Sequence, residues 1–262
     1  MIEYERDGEI GIFTIANGKV NPFNPQMHKD FYQKLKAFEN DPAVKVGILT
    51  GAGDRAFCAG DDLKTPREDR TIEEHVEKHF AAVDPDAEPS YPGWEREIHM
   101  MTRFKPIIGA VKGWCVGQGL VYLMRLTDMR ISGESARYGL PEIGFDMAGG
   151  SGMAAISRHL PRAIAMELVL TGDPIDAQEA YRIGFANKVV PDAEVMDAAK
   201  ALAARISRHS GRAIRIEMES FHRAERTDDE TSYALTDHMF RLQRLASSKQ
   251  VGTFDYKGKT GK

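Results

Sequence analysis

Cysteine is scarce in this chain: among 262 residues only Cys58 and Cys115 occur, each in an apolar stretch. Two thiols give no disulfide framework, so a reducing compartment, the cytoplasm, is expected. An excess of positive charge is also missing. A formal net charge of −4 leaves no broad basic field for a nucleic acid. No run approaches the ~18–20 apolar residues of a membrane span. The first residues, MIEYERDGEIGIFTI, put acids where a secretory signal would be basic. No membrane partner is expected.

Other signatures fail as well. After Gly117-Gln118-Gly119 the place of a third glycine is held by Tyr122, so the dinucleotide fingerprint is broken. His75 and His79 have helical i, i+4 spacing, but no third ligand accompanies them and no metal is expected. No Ser-His-Asp triad has a local signature, and both cysteines read as small buried hydrophobes.

What remains is a chain with 42% hydrophobic residues, enough for one large domain or one domain plus a small appendage. Strands are expected over 2–6, 10–16, 44–50, 106–112, 128–132 and 186–190, with a short extended piece over 136–139. Asn24 caps a helix that starts at Pro25 and carries Met27, Phe31, Leu35 and Phe38 on one face. Residues 64–103 are charged and broken by Pro85, Pro89 and Pro92, an insertion or lid with helices over 72–83 and 92–103. Tyr91, Trp94, His99, Met100 and Met101 are its candidate pocket residues. Further helices are expected over 151–159, 162–170 and 177–182. A core over 1–190 is then followed by a helical region over 191–262, with helices over 192–209, 212–226 and 230–247 and a mobile basic tail, GKTGK. Strands alternating with helices argue an α/β fold.

Within VKGWCVGQGLVYLM, residues 111–124, two glycines interrupt an apolar run where a helix begins. The first N–H groups of a helix lack internal acceptors and sit at its positive dipole end. Glycines there let a ligand approach the backbone, which makes an anion or oxyanion cradle.

Three segments are taken together: Phe57-Cys58-Ala59-Gly60-Asp61-Asp62-Leu63, Ala110-Val111-Lys112-Gly113 with Gly117-Gln118-Gly119, and Tyr138-Gly139-Leu140-Pro141-Glu142. With Leu168-Val169-Leu170-Thr171-Gly172 and the run from Ala180 to Val190, the sequence resembles the crotonase family, the enoyl-CoA hydratases and isomerases. The resemblance covers nearly the whole chain. It implies a spiral of ββα repeats with a helical C-terminal trimerisation region, assembled as a homotrimer or a dimer of trimers. It also implies an acyl-CoA substrate, with coenzyme A arriving as part of the substrate and no permanently bound cofactor.

The same resemblance implies that the backbone N–H groups of Asp61 and Gln118 hold the thioester oxygen, and that Glu142 moves protons. Ala59, Gly60, Asp62, Leu63, Gly117, Pro141 and Lys19 would line the coenzyme A thioester, with Arg55 and Lys64 near its phosphates. Asp62 is expected to fix its own turn, and Asp146 to supplement Glu142. One departure stands out. Where the family's hydratases carry a first glutamate this chain has Val121, which cannot move a proton. The expected activity is therefore of the hydratase/isomerase type with one glutamate as acid and base. The alternatives are another enolate reaction (decarboxylation, ring cleavage or thioester hydrolysis) or a non-catalytic CoA-binding member.

Overall fold

Alternate residues of a strand face opposite sides of its sheet, and here both sides are apolar. Ile48 and Leu49 of β3 (Val46–Gly51), and Ile107 and Ile108 of β5 (Ile107–Val111), fall in two different core clusters. Such near-continuous apolar runs are what parallel strands covered on both faces require. The computed structural model describes residues 1–66 and 68–245. Its first element is an antiparallel hairpin, β1 (Ile2–Asp7) and β2 (Ile10–Ile15). With β7 (Met129–Gly133) and β10 (Lys188–Val190) these strands form a six-stranded sheet ordered β1-β2-β3-β5-β7-β10, in which every pair after the hairpin is parallel.

A second sheet takes the intervening strands: β4 (Ala56–Cys58), β6 (Trp114–Val116), β8 (Arg137–Gly139) and β9 (Ile175–Asp176), in that order. The pairs β3/β4, β5/β6 and β7/β8 thus each send one strand to either sheet before the chain turns helical, the repeat of a ββα spiral. β4, β6 and β9 were not expected from the sequence. They are two or three residues long, too short to show alternation.

The expected helices form with small shifts at their ends. α1 (Pro25–Asn40) is capped by the Asn24 side chain, which accepts from the Met27 N–H at 2.9 Å. Its buried face carries Met27, His28, Phe31, Leu35 and Phe38. α2 (Ile72–Phe80) buries none of its residues, whereas α3 (Trp94–Met100) seats Ile98 in the core and Trp94 against Tyr32. α4 (Gln118–Leu126) follows β6 directly and is buried along most of its length. α5 (Ser151–His159), α6 (Arg162–Thr171) and α7 (Ala177–Arg182) come next. α8 (Val195–Ser207) covers the outer face of the large sheet, setting Val195, Ala199 and Ala203 with Ile12, Val46, Ile48 and Ile131.

Residues Met1–His209 form one compact unit and the chain from Ser210 onward another. The second contains α9 (Gly211–Ala224) and α10 (Asp229–Leu245) packed on each other, with Phe221, Tyr233, Phe240, Leu242 and Leu245 exposed. The basic tail and the last residues of the expected final helix lie outside the described residues. No helix among the described residues is long and apolar enough to cross a membrane.

Candidate active site

β4, β6 and β8 are adjacent and parallel, so their C-terminal ends lie side by side. Each end delivers one of the three residues singled out by the motifs. β4 runs into Ala59-Gly60-Asp61, β6 into Gly117-Gln118, and β8 into Leu140-Pro141-Glu142. Crevices beyond the carboxyl ends of parallel strands are favoured places for ligands in α/β folds.

The first junction is clamped by the loop before α1. Phe23 donates its N–H to the Gly60 carbonyl at 2.8 Å and accepts from the Asp62 N–H at 2.6 Å; Ala59 donates to the Val20 carbonyl at 2.9 Å. This parallel bridge is built on the groups either side of Asp61, which keeps the Asp61 N–H out of the ladder. Gly60 takes a φ of +93°, a conformation that L side chains rarely adopt.

At the second junction Gly117 (φ +57°) turns β6 into α4 and donates its N–H to the Gly139 carbonyl at 3.1 Å. Gln118 is the first residue of α4, so its N–H has no intrahelical acceptor and lies at the positive end of the dipole. The two junctions abut. A Cβ placed on Gly60 would lie 3.4 Å from the Gln118 nitrogen, and one on Gly117 would lie 3.5 Å from Gly60 Cα and 3.4 Å from Glu142 Oε1. Bare glycines therefore bring two backbone donors and one carboxylate around a single spot. Such a set can stabilise an oxyanion and move a proton.

Glu142 lies in a 3-10 turn, Pro141–Phe145, that Pro141 opens with its fixed φ. Its Oε2 is buried without a hydrogen-bond partner. Burial, and then the charge of Asp61, hold its carboxyl above the usual carboxylate range, against the opposing hydrogen bond of its own N–H. Val121, one helical turn after Gly117, is 4% exposed and apolar in its surroundings; Leu140 and Val121 both crowd the space above Gly152.

The Gln118 side chain reaches His99 of α3. Its amide nitrogen lies 2.9 Å from His99 Nε2. An amide nitrogen only donates, so His99 Nε2 accepts and the ring carries its proton on Nδ1. Burial, with Arg125 and then His28 nearby, pushes the His99 pKa down to about 4, and the ring is neutral near pH 7. The Tyr122 hydroxyl, also from α4, is 2.6 Å from Nδ1 of the fully buried His28, whose Nε2 faces Asp61 Oδ1 at 3.3 Å.

His28 and Tyr122 escaped the sequence reading. The signal for His28 was its place on the apolar stripe of α1, three residues before Phe31 and seven before Leu35. Tyr122 was hidden inside the run from Leu120 to Met124. Of the expected pocket residues, Tyr91 hydrogen-bonds the Phe23 carbonyl at 2.9 Å and lies edge-on to His28, while Met100 is 76% exposed.

The remaining candidates take simpler places. Asp62 Oδ1 accepts from the Lys64 N–H at 3.0 Å, the turn-fixing bond its sequence context predicts. Leu63, Lys19 and Lys64 are exposed around the clamped loop, while Arg55, also exposed, precedes β4 at its other end. Asp146 ends the 3-10 turn in the left-handed conformation (φ +55°) and is exposed. His79 Nδ1 turns back on the His75 carbonyl at 2.8 Å. Burial raises the Cys58 thiol to about 12 and Cys115 well above its ordinary value, so neither is a nucleophile near neutral pH.

The sequence matches the family model described as enoyl-CoA hydratase/isomerase over residues 5–261. A short-chain-enoyl-CoA hydratase of Clostridium acetobutylicum is 32% identical over 238 residues, covering 90% of this chain and 86% of its own. A carnitinyl-CoA dehydratase of Proteus mirabilis is 32% identical over 229 residues, 87% of this chain and 82% of that protein. Among solved structures, an enoyl-CoA hydratase from Bacillus anthracis superposes with a TM-score of 0.79 at 25% identity, covering 94% of each chain.

Proposed function

The chain belongs to the enoyl-CoA hydratase/isomerase family, the crotonases, and from that premise we propose that it transforms an enoyl-CoA thioester through an enolate. The thioester oxygen accepts from the Asp61 and Gln118 N–H groups, and Glu142 carries protons to and from the acyl carbons. The observation that carries the reading is the meeting of these three groups around Gly60 and Gly117. Charge that builds on the thioester oxygen meets donors already in place, an effect worth about 3–4 kcal/mol per donor in comparable sites. The α4 dipole adds to it.

Reversible addition of water across the C2–C3 double bond is the leading reaction, in keeping with relatives named as hydratases and dehydratases. Val121 favours a second reading, in which Glu142 alone shifts a double bond by moving one proton between C2 and C4. Coenzyme A comes and goes with the substrate, its phosphates passing Lys19, Arg55 and Lys64, and no other cofactor takes part. Two buried free thiols suit a reducing compartment, and we place the protein in the cytoplasm as a homotrimer or a dimer of trimers.

Thermal unfolding with and without ligand tests the binding half of this proposal. Coenzyme A or acetyl-CoA at millimolar concentration raises the melting temperature, because a ligand that binds only the folded chain stabilises it. An unchanged melting temperature together with a flat calorimetric titration would falsify the reading.

A further inference from the structure

Val121 leaves the pocket with one proton carrier at the positions the sequence marks, yet a second carboxylate points into the same region. Asp61 supplies more than its N–H. Its Oδ1 is buried, faces His28 Nε2 at 3.3 Å off the line of a hydrogen bond, and has no other partner. The side chain as a whole is 29% exposed, so its other side is open. Glu142 Oε2, beyond Gly117, is likewise buried and without a partner. Two carboxylates with unfilled acceptor sites therefore flank the cradle. The charge of Asp61 reaches Glu142, where after burial it is a further cause that raises the carboxyl.

Buried groups back Asp61 on the side away from solvent. Burial keeps the Tyr122 phenol neutral, so its proton is free to donate to His28 Nδ1, 2.6 Å away. His28, stacked on Phe23 at 5.0 Å and wholly buried, then carries its hydrogen on Nε2, the nitrogen that lies 3.3 Å from Asp61 Oδ1. Asp61 is thus backed by two buried side chains, His28 and Tyr122. A loop acid that served only its own turn, as Asp62 does, has no need of this support.

We propose that the Asp61 carboxylate is the second proton-transfer group of the pocket, aligned by the buried His28–Tyr122 pair, and that it fills the part which Val121 cannot. This rests on the enoyl-CoA reading. In hydration, the water oxygen bonds to C3 while one of its O–H bonds breaks and the proton passes to Asp61. The C2–C3 π pair moves onto C2 and the thioester oxygen, held by the two N–H groups. The O–H bond of Glu142 then breaks and its proton goes to C2. One water is consumed, and the proton on Asp61 returns to Glu142 through solvent to reset the pair. Asp61 is the base, Glu142 the acid, and His28 and Tyr122 are positioning residues.

Asp61→Asn tests this cleanly, because it keeps the backbone N–H and an acceptor toward His28 while removing the proton-accepting group. Hydration of a panel of 2-enoyl-CoA thioesters is followed against pH, with folding checked by circular dichroism. Five titratable groups face or feel Asp61: His28 on α1, Cys58 on β4, His99 on α3, Tyr122 on α4 and Glu142 on its turn. The expected result is a fall in kcat of about 10² or more, with KM within about threefold. The acid-side limb of the kcat/KM profile disappears, and the alkaline limb moves toward lower pH as Glu142 loses its negative neighbour. Tyr122→Phe, the second variant, moves the acid-side limb and lowers kcat less. Wild-type kcat and both limbs retained in Asp61→Asn overturn the proposal. So does an unmoved limb in Tyr122→Phe, should Asp61→Asn not fold. A wild-type protein that neither binds nor hydrates any thioester overturns the enoyl-CoA reading, and this inference with it.

Discussion

Glu142 is held in the region by a proline-started turn, and its surroundings favour the proton-bearing form. Glu142→Gln keeps size and polarity, so thioester affinity by calorimetry stays within about threefold while turnover falls by about 10² or more. Full turnover in this variant would remove Glu142 from the chemistry. The same burial makes a stability prediction. A carboxyl whose folded pKa is raised favours the folded state less as it ionises, so its cost is absent below the unfolded value and complete above the folded one. Urea titrations should therefore show Glu142→Gln gaining on the wild type as pH climbs from the ordinary carboxylate range, then levelling off. A constant difference at every pH contradicts it. Val121→Glu sets a carboxylate against Leu140 and the α5 backbone at Gly152. A cost of about 3 kcal/mol or more is expected from that unpaired group, read as a lower urea midpoint. An unaltered midpoint would mean that the site is wetter than its apolar walls suggest.

The junctions between strand and helix set the site. Gly119 matters for packing: a Cβ there would meet Cys58 Cβ and the Cys58 carbonyl at 2.7 Å, so α4 lies on β4 with no room for a methyl group. Gly119→Ala should cost about 1–3 kcal/mol and lower thioester affinity, since pushing α4 away separates the Gln118 and Asp61 donors. Calorimetry and urea unfolding on the same sample check both effects, and wild-type affinity in a destabilised variant would uncouple the cradle from this contact. Much at this scale was legible in the sequence. Asn24-Pro25 announced α1, and Gly117-Gln118 announced the start of α4, because both signals are local. β4, β6 and β9 were illegible: two or three residues hold no period, and only pairing with one another and with β8 makes them strands. Asp61, Gln118 and Glu142 were marked by the family resemblance, whereas His28, whose partners lie on other elements, carried no local signal.

At the scale of the whole molecule, α9 and α10 show faces that a single copy leaves exposed. Leu242 is 65% and Leu245 85% exposed, in the helix that also carries Leu235 and Met239. Apolar side chains of this size in one helix are usually covered in the assembled protein. A mass of three or six chains by light scattering at micromolar concentration is expected, and a lone 29.2 kDa species would refute it.

The central claim is that two backbone donors and the acids beside them act on the C2–C3 bond of an acyl-CoA. Mass spectrometry of a panel of 2-enoyl-CoA thioesters, incubated with the protein in D₂O, tests it most directly. The predicted result is protein-dependent addition of one heavy water to at least one member, with one deuterium bound to C2 that survives return to H₂O after the protein is removed. A panel left at its starting masses, with no deuterium at C2 of any member, would contradict it.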